Sequence, residues 1–224
     1  MNVEQARFNM REQARFNMIE QQIRTWEVLD PTVLNLLNNV PREDFVPEQY
    51  QGLVFADLEI PLGYGQAMLS PKMEARMLQA LDIKKTDSVL EIGTGSGYMT
   101  ALLAKLSKEV FSVELIPELS AAAAHKLVAH GISNIILEVG DGAHGWKNEV
   151  FDVIVLTGSL PVFPKAFEQQ LKVGGRLLVV VGEAPAMEAV LVHCVSAGVT
   201  RRVSLFETSI PSLMNATQPE RFSF

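Results

Sequence analysis

Between residues 88 and 181 short apolar runs alternate with helical patterns, and that alternation restricts the possible folds more than anything else in the chain. Residues 88–92, 110–114, 135–139, 151–156 and 176–181 read as strands, and residues 98–107, 117–130 and 163–171 read as helices. Strands that are apolar at nearly every position bury both faces, which requires helices on both sides of a mostly parallel sheet. Gly174-Gly175 is expected to turn the chain from the last of these helices into the last strand. Beyond it the pattern changes. Residues 187–195 and 200–206 are strand-like runs separated by Ala197-Gly198, the signature of an antiparallel hairpin finishing the sheet. The fold class is therefore α/β, a Rossmann-like, mostly parallel sheet with a C-terminal antiparallel hairpin and an N-terminal helical extension.

The extension begins with a duplication. The string Glu4-Gln-Ala-Arg-Phe-Asn-Met10 recurs as Glu12-Gln-Ala-Arg-Phe-Asn-Met18. Two copies are too few for a repeat architecture, so the first copy is expected to be partly disordered and dispensable. Phe16, Ile19, Ile23 and Trp26 then recur at helical steps and predict one apolar face. Asp30-Pro31 reads as an N-cap followed by proline at the first helical position, and Val33, Leu34, Leu36 and Leu37 form the next apolar face. Residues 1–40 are thus expected to be a helical extension and residues 41–224 the main domain. Four prolines and the tract Gly63-Tyr64-Gly65-Gln66 predict an irregular or β-rich segment over residues 41–71. Met73, Met77, Leu78 and Leu81 return to helical spacing.

Composition excludes several function classes. The net charge is −7, opposite to the concentrated Lys and Arg that phosphate backbones require, so no nucleic-acid partner is expected. Cys194 is the single cysteine, and its apolar surroundings read as a buried structural thiol. His125, His130, His144 and His193 show no zinc-type spacing with it, so no metal is expected. No apolar run is long enough to span a bilayer and no secretory signal is visible, so no membrane association and a cytoplasmic location are the expectations.

The chemistry concentrates in Glu91-Ile-Gly93-Thr-Gly95-Ser-Gly97-Tyr98, which follows a predicted strand and opens a predicted helix. Glycines there let the backbone approach a ligand, and the helix N-terminus offers N–H groups. A dinucleotide fingerprint would carry glycine or alanine at position 98. Here that position is Tyr98, and a carboxylate, Glu91, stands before the first glycine, where it would face the ligand. A pyrophosphate is disfavoured beside that charge. S-adenosylmethionine carries an ammonium and a sulfonium and no phosphate, and suits it better. The next strand ends in Glu114, at the distance where an acid meets ribose hydroxyls. The third ends in Gly140-Asp141-Gly142, where Asp141 would accept from an adenine amino group and Gly142 would let the base lie against the backbone. Singly, each residue has an ordinary explanation, such as a solvated strand-end acid or a carboxylate stabilised by the helix dipole. Together, on successive strands, they predict an S-adenosylmethionine site. A nicotinamide oxidoreductase is the rival in this fold, disfavoured by Glu91 and Tyr98.

Several stretches resemble one family. Val40-Pro-Arg-Glu-Asp-Phe-Val-Pro47, Ile60-Pro-Leu-Gly-Tyr-Gly-Gln66, Val89-Leu-Glu-Ile-Gly-Thr-Gly-Ser-Gly-Tyr98, Gly140-Asp-Gly142, Phe151-Asp-Val-Ile-Val155 and Leu171-Lys-Val-Gly-Gly-Arg-Leu177 are similar to the protein-L-isoaspartate O-methyltransferases. The resemblance implies a methyltransferase sheet, S-adenosylmethionine as cofactor, and an isoaspartyl-containing protein or peptide as substrate. Enzymes of this family methylate the abnormal α-carboxylate of L-isoaspartyl residues in damaged proteins. The ester then collapses to a succinimide, a route back to normal aspartate and hence protein repair. It also implies that Glu91, Gly93, Gly95 and Gly97 hold the methionyl part, Glu114 the ribose, and Asp141 and Gly142 the adenine. Gly65 and Gln66 would lie at the substrate.

The chain departs from that family at one motif. Where the family reads Thr-Ile-Ser after glycine-glutamine, this chain reads Ala67-Met68-Leu69, followed by Ser70-Pro71. Leu69 takes the place of the serine and Ser70 stands one position late. Ser70 is the candidate catalytic hydroxyl, against its reading as a turn serine before proline. A carboxylate acceptor is already ionised at neutral pH, so methyl transfer to it needs alignment rather than a general base. Two alternatives stay open: a related methyltransferase with another acceptor, and a cofactor-binding protein without catalysis. The tail, residues 207–224, also departs from the family, and reads as closing over the acceptor site or covering a sheet edge.

Overall fold

The computed structural model of the chain describes residues 3–219. It forms two compact units that divide between Gln79 and Ala80, whereas the sequence pattern places a boundary at residue 40.

The first unit opens on helix α1, Val3–Asn17, which continues into a π-helical turn at Met18–Ile23 and a 3-10 turn at Arg24–Trp26. Both repeat copies lie along this one helical run. Each forms the same bond: Gln5 Nε2 donates to Asn9 Oδ1 at 3.1 Å and Gln13 Nε2 to Asn17 Oδ1 at 3.0 Å. Packing separates the copies. Met10 is exposed where its counterpart Met18 is buried. The predicted apolar face is corrected too. Ile19 and Ile23 are buried, but Phe16 and Trp26 are exposed, and a π turn and a 3-10 turn interrupt the regular helical spacing between these two. Trp26 instead meets the Lys72 ammonium, 4.1 Å from its ring centroid.

Helix α2, Pro31–Asn39, starts as its sequence requires. Asp30 accepts from the Thr32 N–H at 2.7 Å, and Val33, Leu34, Leu36 and Leu37 are buried. Between α2 and helix α3, Pro71–Leu81, the chain makes 3-10 turns and a hairpin of β1, Ile60–Gly63, with β2, Gln66–Met68. Tyr64 and Gly65 both have positive φ, 55° and 72°, the two-residue turn that strand twist favours. So small a hairpin holds little by itself. A buried arginine does more. Arg42 donates from Nε to Val54 O at 3.1 Å, from Nη2 to Leu69 O at 2.6 Å, and from Nη1 to Glu74 on α3. Arg42 and Glu74 are each 1% exposed. Burial pushes the Glu74 carboxyl up to about 7, against the opposing pull of the Arg42 guanidinium.

The second unit is built on strands β3 (Ser88–Ile92), β4 (Glu109–Glu114), β5 (Ile135–Val139), β6 (Phe151–Leu160), β7 (Leu171–Glu183), β8 (Ala186–Ser196) and β9 (Val199–Thr208). They form one sheet in the order β5-β4-β3-β6-β7-β8-β9, parallel from β5 to β7 and antiparallel from β7 to β9. Helices α4 (Tyr98–Leu106), α5 (Pro117–Ala129) and α6 (Lys165–Gln169) cross over after β3, β4 and β6, and residues 140–150 join β5 to β6 without a helix. The α/β class and the C-terminal hairpin are thus as the alternating pattern predicts. The core includes Leu90, Ile92, Phe151, Ile154, Phe167, Leu177 and Val179, and Cys194 is buried within it.

Two local expectations are corrected. The predicted helix over residues 163–171 shrinks to the five residues of α6, because Leu171 already pairs with Phe151 at the start of β7. Gly174-Gly175 does not turn the chain between elements. It lies inside β7, where the pairing jumps from Phe151–Leu171 to Val153–Arg176. A Cβ on Gly175 would stand 2.8 Å from Lys172 O and 3.0 Å from Asp152 O, so the glycines serve a bulge within the strand.

The buried pair sets two expectations. Arg42→Met leaves the Glu74 carboxyl buried without its cation and is expected to cost about 3–5 kcal/mol in urea denaturation, with Arg42→Met/Glu74→Met recovering most of the loss. The folded carboxyl takes up its proton near 7 and an unfolded one near 4.5, so between these values the folded state binds the extra proton. The contribution of Glu74 to stability therefore falls as pH rises through that window. Glu74→Gln removes the slope. The stability of the wild type relative to this variant should fall from about pH 4.5 to about pH 7, and a constant difference would show that no proton is linked.

Candidate functional site

Strand β3 has β4 on one side and β6 on the other, and the chain proceeds from them in opposite directions across the sheet. The crevice beyond the strand ends at such a switch point is where open α/β sheets take ligands. The glycine loop begins there. Gly93 and Gly97 have φ of 98° and 84°, and packing enforces their lack of a side chain. A Cβ on Gly93 would collide with the Thr157 hydroxyl, and one on Gly97 would lie 3.0 Å from Ala123 Cβ on α5. Thr157 Oγ1 in turn donates to Gly93 O at 2.7 Å and lies 3.0 Å from Ile92 O. The loop owes its shape to the protein's own contacts.

The Glu91 side chain turns into the protein interior and not toward solvent. Its side chain is fully buried, and Oε2 accepts from Thr100 Oγ1 at 2.5 Å and from Ser112 Oγ at 2.6 Å. The single hydroxyl proton of Ser112 goes to Glu91, so Thr94 donates in the 2.6 Å contact between Thr94 and Ser112. One side chain thereby links the loop (Thr94), strand β4 (Ser112), its own strand β3, and helix α4 (Thr100) through short hydrogen bonds. Sequence reasoning missed these hydroxyls. The available signal was Ser112, a polar residue between the apolar Phe111 and Val113.

Glu114, at the end of β4, reaches the same loop from the crevice side. Its Oε2 accepts from Gly95 N–H at 2.8 Å and its Oε1 from Ile116 N–H at 3.0 Å. A carboxylate has about four acceptor sites, so anchoring the loop leaves capacity for a ligand. Asp141, after β5, is exposed, and its Oδ1 accepts from Ala143 N–H at 3.0 Å. A Cβ on Gly142 would stand 2.8 Å from Ile92 Cδ1, so this glycine brings the loop after β5 onto the end of β3. Trp146 closes the far side of that loop against Gly140 and donates from Nε1 to Glu138 at 2.6 Å. Glu91, Glu114 and Asp141 thus stand on or just beyond successive strands around the glycine loop.

The tail takes a place that the sequence does not predict. Ile92, the last residue of β3, pairs with Leu156, and β6 runs on to Leu160. Past that point Ser159 pairs in parallel with Ser212. Ser159 N–H donates to Pro211 O and Leu213 N–H to Ser159 O, both at 2.9 Å, while Ser159 Oγ donates to Ile210 O at 3.0 Å. Leu213 then packs where a Cβ on Gly158 would be 2.8 Å from its Cδ2. The sheet edges are β5 and β9, and residues 211–213 pair instead with β6 in the interior of the sheet. Residues 220–224 of the tail lie outside the described residues.

The residues expected at the acceptor belong to the first unit. Gly65 is exposed in the β1–β2 turn and Gln66 is half-buried beside it. Leu69 is buried, and its carbonyl accepts from Arg42. Ser70 starts α3: its carbonyl accepts from Glu74 N–H at 3.1 Å and its Oγ lies 3.4 Å from Met73 N. That is the geometry of a helix cap, the structural alternative to a catalytic hydroxyl.

The sheet order and the glycine loop at its switch point define a methyltransferase of Rossmann-like fold. Within that class the chain belongs to the protein-L-isoaspartate(D-aspartate) O-methyltransferase family, whose model matches residues 13–202. The protein-L-isoaspartate O-methyltransferase of Picosynechococcus sp. is 44% identical over 163 residues, covering 72% of this chain and 73% of its own. That of Koribacter versatilis is 40% identical over 185 residues, covering 82% and 83%. A solved protein-L-isoaspartate O-methyltransferase superposes with a TM-score of 0.76 at 25% identity over 89% of this chain, which spans 65% of that protein's length. A structure from Plasmodium falciparum assigned to the same activity, in complex with S-adenosyl-L-homocysteine, shares the fold with a TM-score of 0.74 at 19% identity, over 88% of this chain and 96% of its own.

The Glu91 network is testable without any ligand. Ser112→Ala removes one donor to a buried carboxylate and the acceptor for Thr94, and is expected to lower the unfolding free energy by about 1–3 kcal/mol. An unchanged denaturation midpoint would mean that these bonds do not hold the loop.

Proposed function

We propose that this protein is an S-adenosylmethionine-dependent O-methyltransferase that methylates the carboxylate of L-isoaspartyl residues in damaged proteins. The family match across residues 13–202 carries this reading, and the donor set of the crevice supports it. Carboxylates at Glu114 and Asp141 beside a glycine loop suit a ligand rich in hydroxyl, amino and cationic groups and repel a phosphate. The loop over residues 93–97, with Gly93, Gly95 and Gly97, would hold the methionyl part. Glu114 would accept from the ribose hydroxyls, and Asp141 with Gly142 would meet the adenine. Glu91 would act at one remove, by fixing the loop through Thr94 and Ser112.

The cofactor supplies, when bound, a methyl group made electrophilic by a sulfonium. The acceptor carboxylate is ionised at neutral pH. One of its lone pairs forms the new O–C bond as the C–S pair returns to sulfur, so no proton moves and the chain provides no base. The chain's part is alignment and exclusion of water. That chemistry accommodates Leu69 at the position of the family's serine and a Ser70 engaged at the start of α3. One observation favours a second reading, a different carboxylate acceptor: Leu69 is buried and brings no hydroxyl to this segment.

Transfer of a labelled methyl group from S-adenosylmethionine to an isoaspartyl peptide, with the matched aspartyl peptide as control, tests the proposal. Selective, base-labile labelling is expected. Cofactor binding without labelling would move the reading to another acceptor. Glu114→Ala should weaken cofactor binding by about 1–3 kcal/mol in calorimetric titration, and an unchanged affinity would place the ribose elsewhere.

A further inference from the structure

The tail brings to the crevice a side chain that neither the glycine motif nor the family resemblance assigns. Asn215 Nδ2 donates to Asp141 Oδ2 at 2.9 Å. With Oδ1 already held by the Ala143 N–H, both oxygens of Asp141 are tethered, and its exposed carboxylate has one orientation instead of several. The donor is a neutral amide. It orients the carboxylate without cancelling its charge, as a lysine or arginine would, and each oxygen keeps a further acceptor site.

The strap that carries Asn215 is itself fixed. Ile210 and Ala216 are buried on either side of it, and Ala216 belongs to the main core cluster. The backbone of residues 211–213 is paired with Ser159. Thr217 Oγ1 makes a second contact with the loop after β5, 3.4 Å from His144 Nδ1. Asn215 has φ of 61°, the left-handed conformation that asparagine adopts more readily than other residues bearing a side chain. Conformation and hydrogen bond together explain an asparagine here.

We infer that Asn215 is a positioning residue for the cofactor: it holds the Asp141 carboxylate in the orientation that accepts the adenine amino group, and the strap over residues 210–217 forms one wall of the base pocket. This rests on the reading that Asp141 meets the adenine. A carboxylate oriented in advance loses no rotamer freedom on binding, which raises affinity for a ligand that donates to it.

The test is calorimetric titration of the full-length protein with S-adenosylhomocysteine and with its purine analogue lacking the 6-amino group. Asn215→Gly deletes the side chain and tolerates the backbone conformation. Asn215→Asp sets a like charge against Asp141. Asn215→Gly is expected to bind S-adenosylhomocysteine about 2–10-fold more weakly, with little change for the amino-free analogue, so that the preference between the two shrinks. Asn215→Asp should lose more. An equal loss for both ligands would reduce Asn215 to a structural role, and tighter binding would show that the strap competes with the base. Either result overturns the inference. Asp141→Ala separates the two levels. If it leaves affinity and preference unchanged, the adenine is not at Asp141 and the underlying reading fails. If it abolishes the preference while Asn215→Gly behaves as wild type, only the inference about Asn215 fails.

Discussion

The second unit depends on a carboxylate that never meets solvent. Glu91 is the fourth of five residues in a strand buried at every position, where a polar group is tolerated only if hydrogen bonds replace its water. Thr100 and Ser112 supply them, and Thr94 extends the chain into the glycine loop. Satisfying one buried acid thus ties the loop to two strands and a helix. Glu114 holds the same loop from its other side through the Gly95 N–H. A loop suspended between two carboxylates is organised before any ligand arrives, and preorganisation of this kind avoids the cost of ordering it on binding.

The first unit uses the opposite charge for a comparable purpose. Its segment between α2 and α3 has only 3-10 turns and a short hairpin, so few backbone groups are paired by a sheet. The Arg42 guanidinium gathers two carbonyls and the Glu74 carboxylate from three distant points of the chain. The planar fork of arginine suits that task better than the point charge of lysine. One of those carbonyls belongs to Leu69, the residue at which this chain departs from its family. Its backbone is anchored by Arg42 whatever side chain it bears, so the departure changes the chemistry of the segment and leaves its main-chain anchor in place.

The candidate site shows the same division between local pattern and long-range contact. Gly93, Gly97 and Gly142 stand out in the sequence as a ligand cradle. Their nearest neighbours prove to be Thr157, Ala123 and Ile92, partners between 26 and 64 residues away in the chain that no local motif reveals. Glu91 is recognisable as an acid before a glycine turn, but not as an inward-facing one, because burial depends on the strands on either side. Thr157 follows an apolar strand as an ordinary residue until the parallel pairing of β3 and β6 brings it to Gly93. Asn215 lies in a tail with no periodicity, and only the pairing of Ser159 with Ser212 delivers it to Asp141.

The sequence by itself determined the α/β class, the mostly parallel sheet, the closing hairpin, the capped start of α2 and the placement of acids and glycines at strand ends. These follow from periodicity, capping chemistry and turn residues, which act over a few positions and leave their marks there. Tertiary structure alone decided the burial of Met18 and the exposure of Phe16, the bulge at Gly174-Gly175, the inward turn of Glu91 and the path of the tail across the strand ends. Each of these is settled by which distant group needs a partner or occupies a volume, and that is known only once the chain has folded.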